Sequence, residues 1–514
     1  MPSQVFSRLL LIYFFISYAF LNNAQSILYV TESGTGDFSG SSWINSLPGN
    51  QLQSRLKTIE AGKQVWVARG TYKPTITANR AVSFAMRNGV SIYGGFQGNE
   101  SSIEQRPPIT ASQPSSSTLS GDIGTTGDVE DNSYHVINNR GIDSTAVLDG
   151  FVITLGNESG SSAFPYAGGG MLNDGSGPGN YCSPVIKNCF FTKNRAEGGG
   201  AVYNGGSSSG YSAPHFLNCI FDQNTAFNSN GGAIKNTYSS PSFVNCLFHR
   251  NRSEYFSGGA IAFGICYVGN SKPSIVNCIF SQNSAVFYGG AVYFGSLYEG
   301  VATPIILNCT FTKNYITQLA SAVYFDDYQG RIKAKMVNCI AWGNTGRNPN
   351  IVALSSYLSK QDVTYSNIQN FSLGVYPGTG NIMTDPIFVD PANNDFRLQP
   401  TSPCINTGDP LSSTATTSQV DFTGENRVQE DRIDMGAYEY QYPICSSGLY
   451  TLKDGQWNDT AVWSCGKVPT TTDRVLIKHI VTIPQNYVGE AKRVTFEAGS
   501  QLLYTPDARL QLSQ

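Results

Sequence analysis

Six nearly identical segments constrain what this chain can fold into more than any other feature of its sequence. Each segment reads Asn-Cys, one residue, Phe, two residues and Asn, with Ala in place of Phe in the sixth copy. Their cysteines lie 30, 27, 32, 31 and 30 residues apart, and they are Cys189, Cys219, Cys246, Cys278, Cys309 and Cys339. A period in this range indicates a stacked repeat in which every copy packs on the one before it.

A second motif recurs within the same period. Gly-Gly-Ala followed by Val or Ile begins at Gly199, Gly231, Gly258 and Gly289, and it decays to Ser321-Ala322-Val323 in the fifth copy. Each period therefore holds roughly three short β segments between turn residues, and none of them shows helical spacing of apolar residues. Strands this short bury an apolar face only when the periods stack. The repeat thus predicts an all-β fold, a parallel β-helix with one coil per period.

The repeat also predicts rows of equivalent side chains along the stack. Cys and Phe lie two residues apart on one strand, so both face the interior. The asparagines lie at turns, where their amides are expected to hydrogen-bond up and down the stack. The predicted structural ladder comprises Asn188, Cys189, Phe191, Asn194, Asn218, Cys219, Phe221, Asn224, Asn245, Cys246, Phe248, Asn251, Asn277, Cys278, Phe280, Asn283, Asn308, Cys309, Phe311 and Asn314. We interpret these rows as core and corner packing rather than as a binding stripe.

The N-terminus predicts export. Arg8 precedes an apolar run from Leu9 to Leu21, and Asn22 to Gln25 offers a cleavage site, which together are typical of a signal peptide over residues 1–25. An uncleaved anchor is the alternative, although the run is short for a membrane span. We therefore expect a secreted or cell-surface protein, outer-membrane associated, with no transmembrane span in the mature chain. Charged residues make up only 13% and the net charge is −3, so no nucleic-acid partner is expected.

Eleven cysteines in an exported chain would ordinarily indicate disulfides. Six of them belong to the ladder, where side chains of stacked strands run parallel rather than converging, so free buried thiols are expected there. The others are Cys182, Cys266, Cys404, Cys445 and Cys465. Cys445 and Cys465 form the one pair for which a disulfide is considered, and the sequence leaves that pairing open.

The chain divides into four predicted parts. Residues 1–25 are the signal peptide, and residues 27–400 are the β-helix, with its regular coils at about 165–345. Residues 401–442 are a non-repeating end region, expected to cover the open edge of the last coil. Residues 443–514 are a small all-β module.

The paired motifs resemble the repeats of chlamydial polymorphic outer-membrane proteins and of related bacterial β-helix proteins. The stretch from Asp385-Pro386 to Asp434-Met435-Gly436-Ala437-Tyr438-Glu439 resembles the choice-of-anchor Q domain of surface proteins, many of them from Bacteroidota. Together with the segment from Val65 to Phe96, the resemblance covers most of residues 27–440. It implies a right-handed, pectin-lyase-like β-helix that is adhesin-like and carries no agreed catalytic residues.

Polysaccharide-cleaving enzymes share this fold class, so a polysaccharide lyase or glycoside hydrolase is the alternative function. Such chemistry needs facing carboxylates, or acidic oxygens around Ca²⁺. On the regular coils Asp326 and Asp327 are the one close pair of carboxylates, with Arg331 nearby, and they are weak catalytic candidates. Neighbouring residues of a strand face opposite sides, which argues against a shared site.

No cofactor is expected apart from a possible Ca²⁺. Asp385 and Asp390, with Asp395, are weak ligands for it, and turn capping is the favoured alternative. The four histidines, His135, His215, His249 and His479, are too dispersed for a zinc site. Several tyrosines near the glycine bends would stack on sugar rings or simply pack along the solenoid: Tyr203, Tyr255, Tyr267, Tyr288, Tyr293 and Tyr298. The sequence thus favours a non-catalytic protein that binds glycans or surface proteins, or presents itself to host or environmental surfaces.

Overall fold

The computed structural model describes most of the chain after the N-terminal segment. The described residues are 26–110, 113–159, 168–264, 271–295, 301–318, 322–327, 331–346, 352–354, 362–369, 374–412, 419–428, 432–441, 449–464 and 466–513. Outside these ranges lie the predicted signal peptide and Cys266, Cys445, Cys465, Tyr267 and Tyr298, including the pair considered for a disulfide.

The repeats stack as parallel coils, which confirms the predicted parallel β-helix. One coil consists of the strands Val185–Lys187, Phe190–Thr192, Arg195–Ala196 and Val202–Gly205. Each pairs in parallel with the equivalent strand of the next coil, so that Phe191, for example, lies beside Phe221. The sequence predicted about three strands per coil because the third, with two residues, is too short to show an alternating pattern.

Equivalent strands of successive coils build four long sheets in the described part of the chain. Sheet 1 contains Leu47–Pro48, Ile27–Thr31, Gln64–Ala68, Ser91–Phe96, Val147–Asp149, Val185–Lys187, His215–Leu217, Ser242–Val244, Ser274–Val276, Ile305–Leu307, Lys335–Val337 and Asp362–Thr364. Sheet 2 contains Gly70–Tyr72, Ser117–Ser120, Val152–Thr154, Phe190–Thr192, Ile220–Asp222, Leu247–His249, Ile279–Ser281, Thr310–Thr312, Ile340–Trp342 and Asn367–Ile368. Sheet 3 contains Asn157–Glu158, Arg195–Ala196, Thr225–Ala226, Arg252–Ser253, Ser284–Ala285, Tyr315–Ile316 and Thr345–Gly346. Sheet 4 contains Ile137–Arg140, Met171–Asp174, Val202–Gly205, Ile234–Thr237, Ile261–Phe263, Val292–Phe294, Val323–Phe325 and Val352–Leu354.

The repeated Phe and Cys side chains fill the interior. The rings of Phe191, Phe221, Phe248, Phe280 and Phe311 stack with centroid distances of 5.0, 4.8, 4.7 and 4.8 Å. The ladder cysteines are free and buried, as are Cys182 and Cys404. Stacking at the strand spacing places identical apolar groups in contact, so one row stabilises the pairing of all the coils it crosses.

Corner residues explain why Asn and Gly recur. Asn188 and its equivalents adopt left-handed backbone angles, with φ of 50° at Asn188, a conformation that Asn tolerates better than most residues. At the second glycine of the bend the space is closed, because a Cβ on Gly232 would lie 2.1 Å from the carbonyl oxygen of Gly259. The Gly-Gly pair therefore permits close approach of successive coils.

The two expected asparagine rows differ. The last asparagine of each motif forms a continuous buried row, with Nδ2-to-Oδ1 distances of 3.1, 3.0, 2.9, 2.9 and 2.8 Å from Asn194 to Asn344. In the first row one amide-to-amide bond links Asn218 to Asn188, at 3.2 Å. Both side-chain polar atoms of Asn308 lack a partner among the described residues. The first row does not form a continuous ladder, and two of its later members, Asn277 and Asn338, contact the end region instead.

A third asparagine row was not predicted. Asn139, Asn173, Asn204 and Asn236 are buried on sheet 4 and bond Nδ2 to Oδ1 at 3.0, 2.9 and 2.8 Å. The signal in the sequence is an Asn two residues after the Val or Ile that ends the glycine motif, at Asn204 and Asn236. This row satisfies polar groups that would otherwise be costly inside the solenoid.

Few helices interrupt the strands. The α-helix Leu52–Thr58 places Leu52 and Leu56 in the solenoid core near its N-terminal end. Short 3₁₀ helices are Gly49–Gln51, Ile103–Gln105, Pro391–Asn393 and Thr460–Val462. Within the described residues, no helix has the length and apolar character needed to cross a membrane.

The end region packs along the side of the solenoid. It begins with an antiparallel hairpin, Phe388–Asp390 and Asp395–Leu398, which lies within the range assigned from sequence to coils. Phe388, Phe396 and Met435 pack with Ile279 and Ile340 on the outer face of sheet 2. The end region therefore contacts the side of sheet 2, and it also contacts the last coil, where Nδ2 of Asn367 donates to the carbonyl oxygen of Thr384 at 2.7 Å and lies 3.1 Å from Sγ of Cys404.

Residues 449–513 form a second, smaller parallel solenoid. Its three sheets contain Leu449–Tyr450, Arg474–Ile477 and Arg493–Phe496; Gly455–Gln456, Ile480–Ile483 and Gln501–Tyr504; and Val488–Ala491 and Arg509–Leu512. Trp457 and Trp463 meet edge to face in its own apolar core. A small two-stranded sheet, Tyr181–Cys182 and Tyr211–Ser212, completes the strands of the larger solenoid.

Candidate functional site

A groove of about 470 Å³ lies on the outer face of sheet 2, over the first three repeats. Its floor consists of residues at equivalent positions of successive coils: Asn188, Phe190, Asn218, Ile220 and Asn245. Phe190 and Ile220 face outwards because the residues beside them, Phe191 and Phe221, face the core. Repetition in the sequence thus becomes repetition along the groove floor.

The first wall of the groove comes from the entry region. Ile109, Thr110 and Pro114 line it. Arg106 anchors this wall, since its guanidinium donates to the carboxylate of Asp149 at 3.0 Å and to the carbonyl oxygen of Gly94 at 3.1 Å. The buried ion pair fixes where the loop leaves the first coils.

The second wall comes from the end region and consists of Val420, Phe422, Thr423 and Gly424. Asp421 shapes this turn, because its Oδ1 accepts the Thr423 N–H at 2.8 Å and its Oδ2 accepts the Glu439 N–H at 2.9 Å. Segments far apart in the sequence therefore enclose one surface of the solenoid.

The floor asparagines offer both hydrogen-bonding functions. Asn188 donates to Asp149 at 2.9 Å and accepts from Asn218 at 3.2 Å. Asn218 is exposed, and Oδ1 of Asn245 has no hydrogen-bond partner among the described residues. Asn218 thus presents an exposed amide to a ligand that carries hydroxyl groups, whereas Oδ1 of Asn245 is shielded from solvent.

A charged cluster lies beyond the floor on the same face of sheet 2. Asp222 and His249 occupy the same position on consecutive coils, and Nδ1 of His249 lies 3.2 Å from Oδ1 of Asp222. Arg250 donates to both oxygens of Asp222, at 2.9 and 2.7 Å. Burial acts to raise the pKa of Asp222, but the hydrogen bonds from His249 and Arg250 hold it below its ordinary value.

Sequence reasoning missed this cluster because it compared the histidines only with one another. Both residues stand three positions after the cysteine of their repeat, Asp222 after Cys219 and His249 after Cys246. An alignment of the repeats by their cysteines would have placed them side by side.

The weak catalytic candidates have separate structural contacts. Oδ2 of Asp326 accepts a hydrogen bond from the hydroxyl of Tyr293 at 3.2 Å. Oδ1 of Asp327 accepts the backbone N–H groups of Arg331 at 2.6 Å and Ile332 at 3.0 Å, and Asp327 is buried. The two carboxylates do not share a site in the described structure, and Arg331 takes part through its backbone.

The weak calcium candidates cap turns. Asp385 accepts the N–H of Ile387 at 2.9 Å, and Asp390 accepts from the side chain of Asn393 at 2.7 Å. Asp395 pairs with Arg397 at 2.6 Å. Among the described residues, no three His, Cys, Asp or Glu side chains lie close enough to hold a metal ion.

Among the described tyrosines, Tyr255 is exposed, whereas Tyr293 and Tyr324 of sheet 4 lie together with Tyr288 of the preceding bend. The rings of Tyr288 and Tyr324 stack with their centroids 4.3 Å apart. The ring centroid of Tyr293 lies 6.1 Å from that of Tyr288 and 6.3 Å from that of Tyr324. Burial raises the pKa of Tyr324 to about 12. Their faces are largely occupied by one another, which is the packing expected of stacked coils.

The comparisons with known proteins concern the solenoid. Among solved structures, pectate lyase Pel9A is 14% identical, with a TM-score of 0.43, over 81% of this chain and 96% of its own. The pectin methylesterase from Aspergillus niger is 13% identical, with a TM-score of 0.27, over 68% and 91%. PL6 family alginate lyase AlyGC is 12% identical, with a TM-score of 0.26, over 95% and 70%.

No curated protein matches the sequence. Residues 171–367 match the family model described as a right handed beta helix region. This match covers the six repeats and the coils on either side of them. The chain therefore folds as a right-handed parallel β-helix.

Proposed function

We propose that this chain is an exported, non-catalytic β-helix protein that binds an extended glycan in the groove on sheet 2. The observation that carries the proposal is the groove itself, with a floor of apolar side chains and asparagine amides and with two non-repeating walls. Solenoids commonly use surfaces of this kind, since stacked repeats create long lateral sites.

The floor favours a polymeric ligand. Asn188, Asn218 and Asn245 recur once per coil, so the hydrogen-bonding groups of the floor repeat about every 4.8 Å along the stack. A ligand that repeats along its own length makes the same contact several times. Weak contacts then add, which suits adhesion to glycans on a host or environmental surface.

The charges near the groove favour binding over cleavage. Glycoside hydrolysis needs two carboxylates about 5 to 9.5 Å apart, one on either side of the scissile bond. No carboxylate is among the described residues that line the groove. Nearby, Asp149 and Asp222 are held by Arg106 and Arg250 respectively, and Asp421 accepts the backbone N–H groups of Thr423 and Glu439. A carboxylate held in this way is a poor general base.

Export is supported by the N-terminal sequence and by the low charge of the chain. With a cleaved signal peptide, the mature chain would begin near residue 26 and reach the cell surface or the medium. The resemblance of the repeats to those of surface proteins agrees with an adhesin-like role.

The proposal is tested with a glycan array and a plate-adhesion assay on residues 26–514. Binding that is lost in Ile220→Glu and kept in Asn228→Ala supports the groove, because Asn228 is exposed on another face. An unsaturated or newly reducing product from any polysaccharide would contradict the non-catalytic assignment, as would adhesion that Ile220→Glu leaves unchanged.

A further inference from the structure

The chemistry of the groove lining narrows the ligand class. Its apolar part is Ile109, Pro114, Phe190, Ile220, Val420 and Phe422. Its polar part consists of amides and hydroxyls, from Asn188, Asn218, Asn245, Thr110 and Thr423. None of the described lining residues carries a charge.

Two short segments that adjoin the wall residues in the sequence are uncharged. Residues 111–112 and 413–418, which adjoin the two walls in the sequence, contain Ala, Ser and Thr and no charged residue. No cation is among the described residues that line the groove, and the nearby Arg106 and Arg250 are engaged by Asp149 and Asp222.

An acidic polymer fits such a lining badly. Each carboxylate that enters the groove would lose water without gaining a cation, and that desolvation is costly. A neutral sugar carries hydroxyls, which pair with the amides, and C–H faces, which pack on Phe190 and Ile220. Asn218 is exposed, so its amide is the floor group that meets such a hydroxyl.

An extended peptide is a weaker fit for a different reason. Peptides bind β-sheets mainly by adding a strand to an open edge. The floor strands Phe190–Thr192 and Ile220–Asp222 each have a paired neighbour on both sides. The groove thus presents side chains rather than free backbone groups.

From these contacts we infer that the groove on sheet 2 binds an uncharged polysaccharide. The inference rests on the proposed function and specifies its ligand.

The test measures binding of the mature chain to neutral polymers (β-glucan and xylan) and acidic polymers (polygalacturonate and alginate) by affinity electrophoresis, at low and high salt. A neutral polymer should bind with an affinity that salt leaves unchanged. Asn218→Ala should weaken that binding by about tenfold, the size of one good hydrogen bond. Asn218→Lys should weaken it too and should create salt-sensitive binding of acidic polymers. Asn228→Lys, an exposed amide outside the groove, is the matched control and should do neither.

Three results would overturn the inference in distinguishable ways. Salt-sensitive binding of an acidic polymer by the unaltered chain, abolished by Ile220→Glu, refutes the neutral ligand but keeps the groove as a glycan site. Binding of peptides in preference to all polysaccharides, again lost with Ile220→Glu, refutes a glycan ligand. No binding of either polymer class, with Ile220→Glu indistinguishable from the unaltered chain, refutes the proposed function together with the inference.

Discussion

The guanidinium group of Arg427 donates a hydrogen bond to the side-chain oxygen of Asn277, and this contact joins the end region to the fourth repeat. Nδ2 of Asn277 in turn donates to the carbonyl oxygen of Val420 at 2.7 Å, in the second wall of the groove. One row of asparagines therefore has two uses. Asn188, Asn218 and Asn245 line the groove, whereas Asn277 and Asn338 hold the segment that encloses it.

Removing the Arg427 side chain should detach that segment. Arg427 is fully buried and also lies 3.6 Å from Glu439, so Arg427→Ala leaves the side-chain oxygen of Asn277 without its donor and removes the cation beside a buried carboxyl. Breaking a buried pair on one side costs about 3 kcal/mol. Urea unfolding should show this loss, and limited proteolysis should cut residues 385–441 first.

The matched control is Arg397→Ala, which removes an exposed arginine paired with Asp395. Its cost should stay below about 1 kcal/mol, as for other surface pairs. Equal destabilisation by the two variants would show that Arg427 has no special part in holding the end region.

The row of last asparagines should be among the most sensitive positions of the solenoid. Asn251 donates to the Phe221 carbonyl at 2.7 Å and to Asn283 at 2.9 Å, and it accepts from Asn224 at 3.0 Å. Asn251→Ala should cost about 2 to 4 kcal/mol, because it leaves several buried groups unpaired at once. Equilibrium denaturation measures the change.

The exposed Asn228 again provides the comparison. Asn228→Ala removes one long contact to Glu197, at 3.5 Å, and should change stability by less than about 0.5 kcal/mol. If Asn251→Ala were as mild as Asn228→Ala, the buried row would contribute little to holding the coils together.

The fold was predictable from sequence because each coil of the solenoid uses the same residue pattern and packs on the next coil in the same way. Once Phe191 and Phe221 are recognised as equivalent, their stacking follows from the strand spacing. The site was less predictable, since its walls at Ile109 and Phe422 come from segments with no period. The lateral packing of the end region likewise depends on the outward apolar residues Ile279 and Ile340, which the sequence alone did not connect to it.

The pair Asp222 and His249 is intermediate in predictability. Both residues stand at the same position of consecutive repeats, but this is evident only when the repeats are aligned by their cysteines. The place of the pair in the structure also gives an acid dependence. The pKa of Asp222 is lower in the folded chain than in the unfolded one, so its contribution is present above the unfolded pKa of about 3.9 and is lost as pH falls through the folded value. Asp222→Asn should cost about 1.5 kcal/mol near neutral pH.

The stability difference between the unaltered chain and Asp222→Asn should therefore be constant above about pH 5 and shrink as the pH falls below that value. Asp385→Asn serves as the control, since Asp385 is exposed and accepts one backbone N–H. The stability difference between the unaltered chain and Asp385→Asn should be small and should change little with pH. A difference for Asp222→Asn that stays constant with pH would show that the carboxylate is not stabilised by its partners.

The buried thiols predict the opposite, alkaline dependence. Burial raises the pKa of Cys189 to about 12, as it does for Cys182 and Cys404. In the unfolded chain a thiol ionises near pH 8.5, so above that value the unfolded state loses protons that the folded state keeps. Stability should then fall as pH rises from about 8.5 towards 12, by up to about 1.4 kcal/mol per pH unit for each such thiol.

Other groups with a raised pKa, such as the half-buried Tyr324, contribute in the same direction, so the test compares variants rather than reading one curve. Cys189→Ser removes one titrating group at a buried position, and its urea unfolding in the presence of a reductant should show a shallower alkaline loss than the unaltered chain. Thiol labelling at about pH 8 should leave the Cys182, Cys189 and Cys404 peptides unmodified until the chain unfolds. Rapid labelling of Cys189 in the folded chain, or identical alkaline slopes for the two proteins, would mean that this thiol is reached by water and is not part of a closed core.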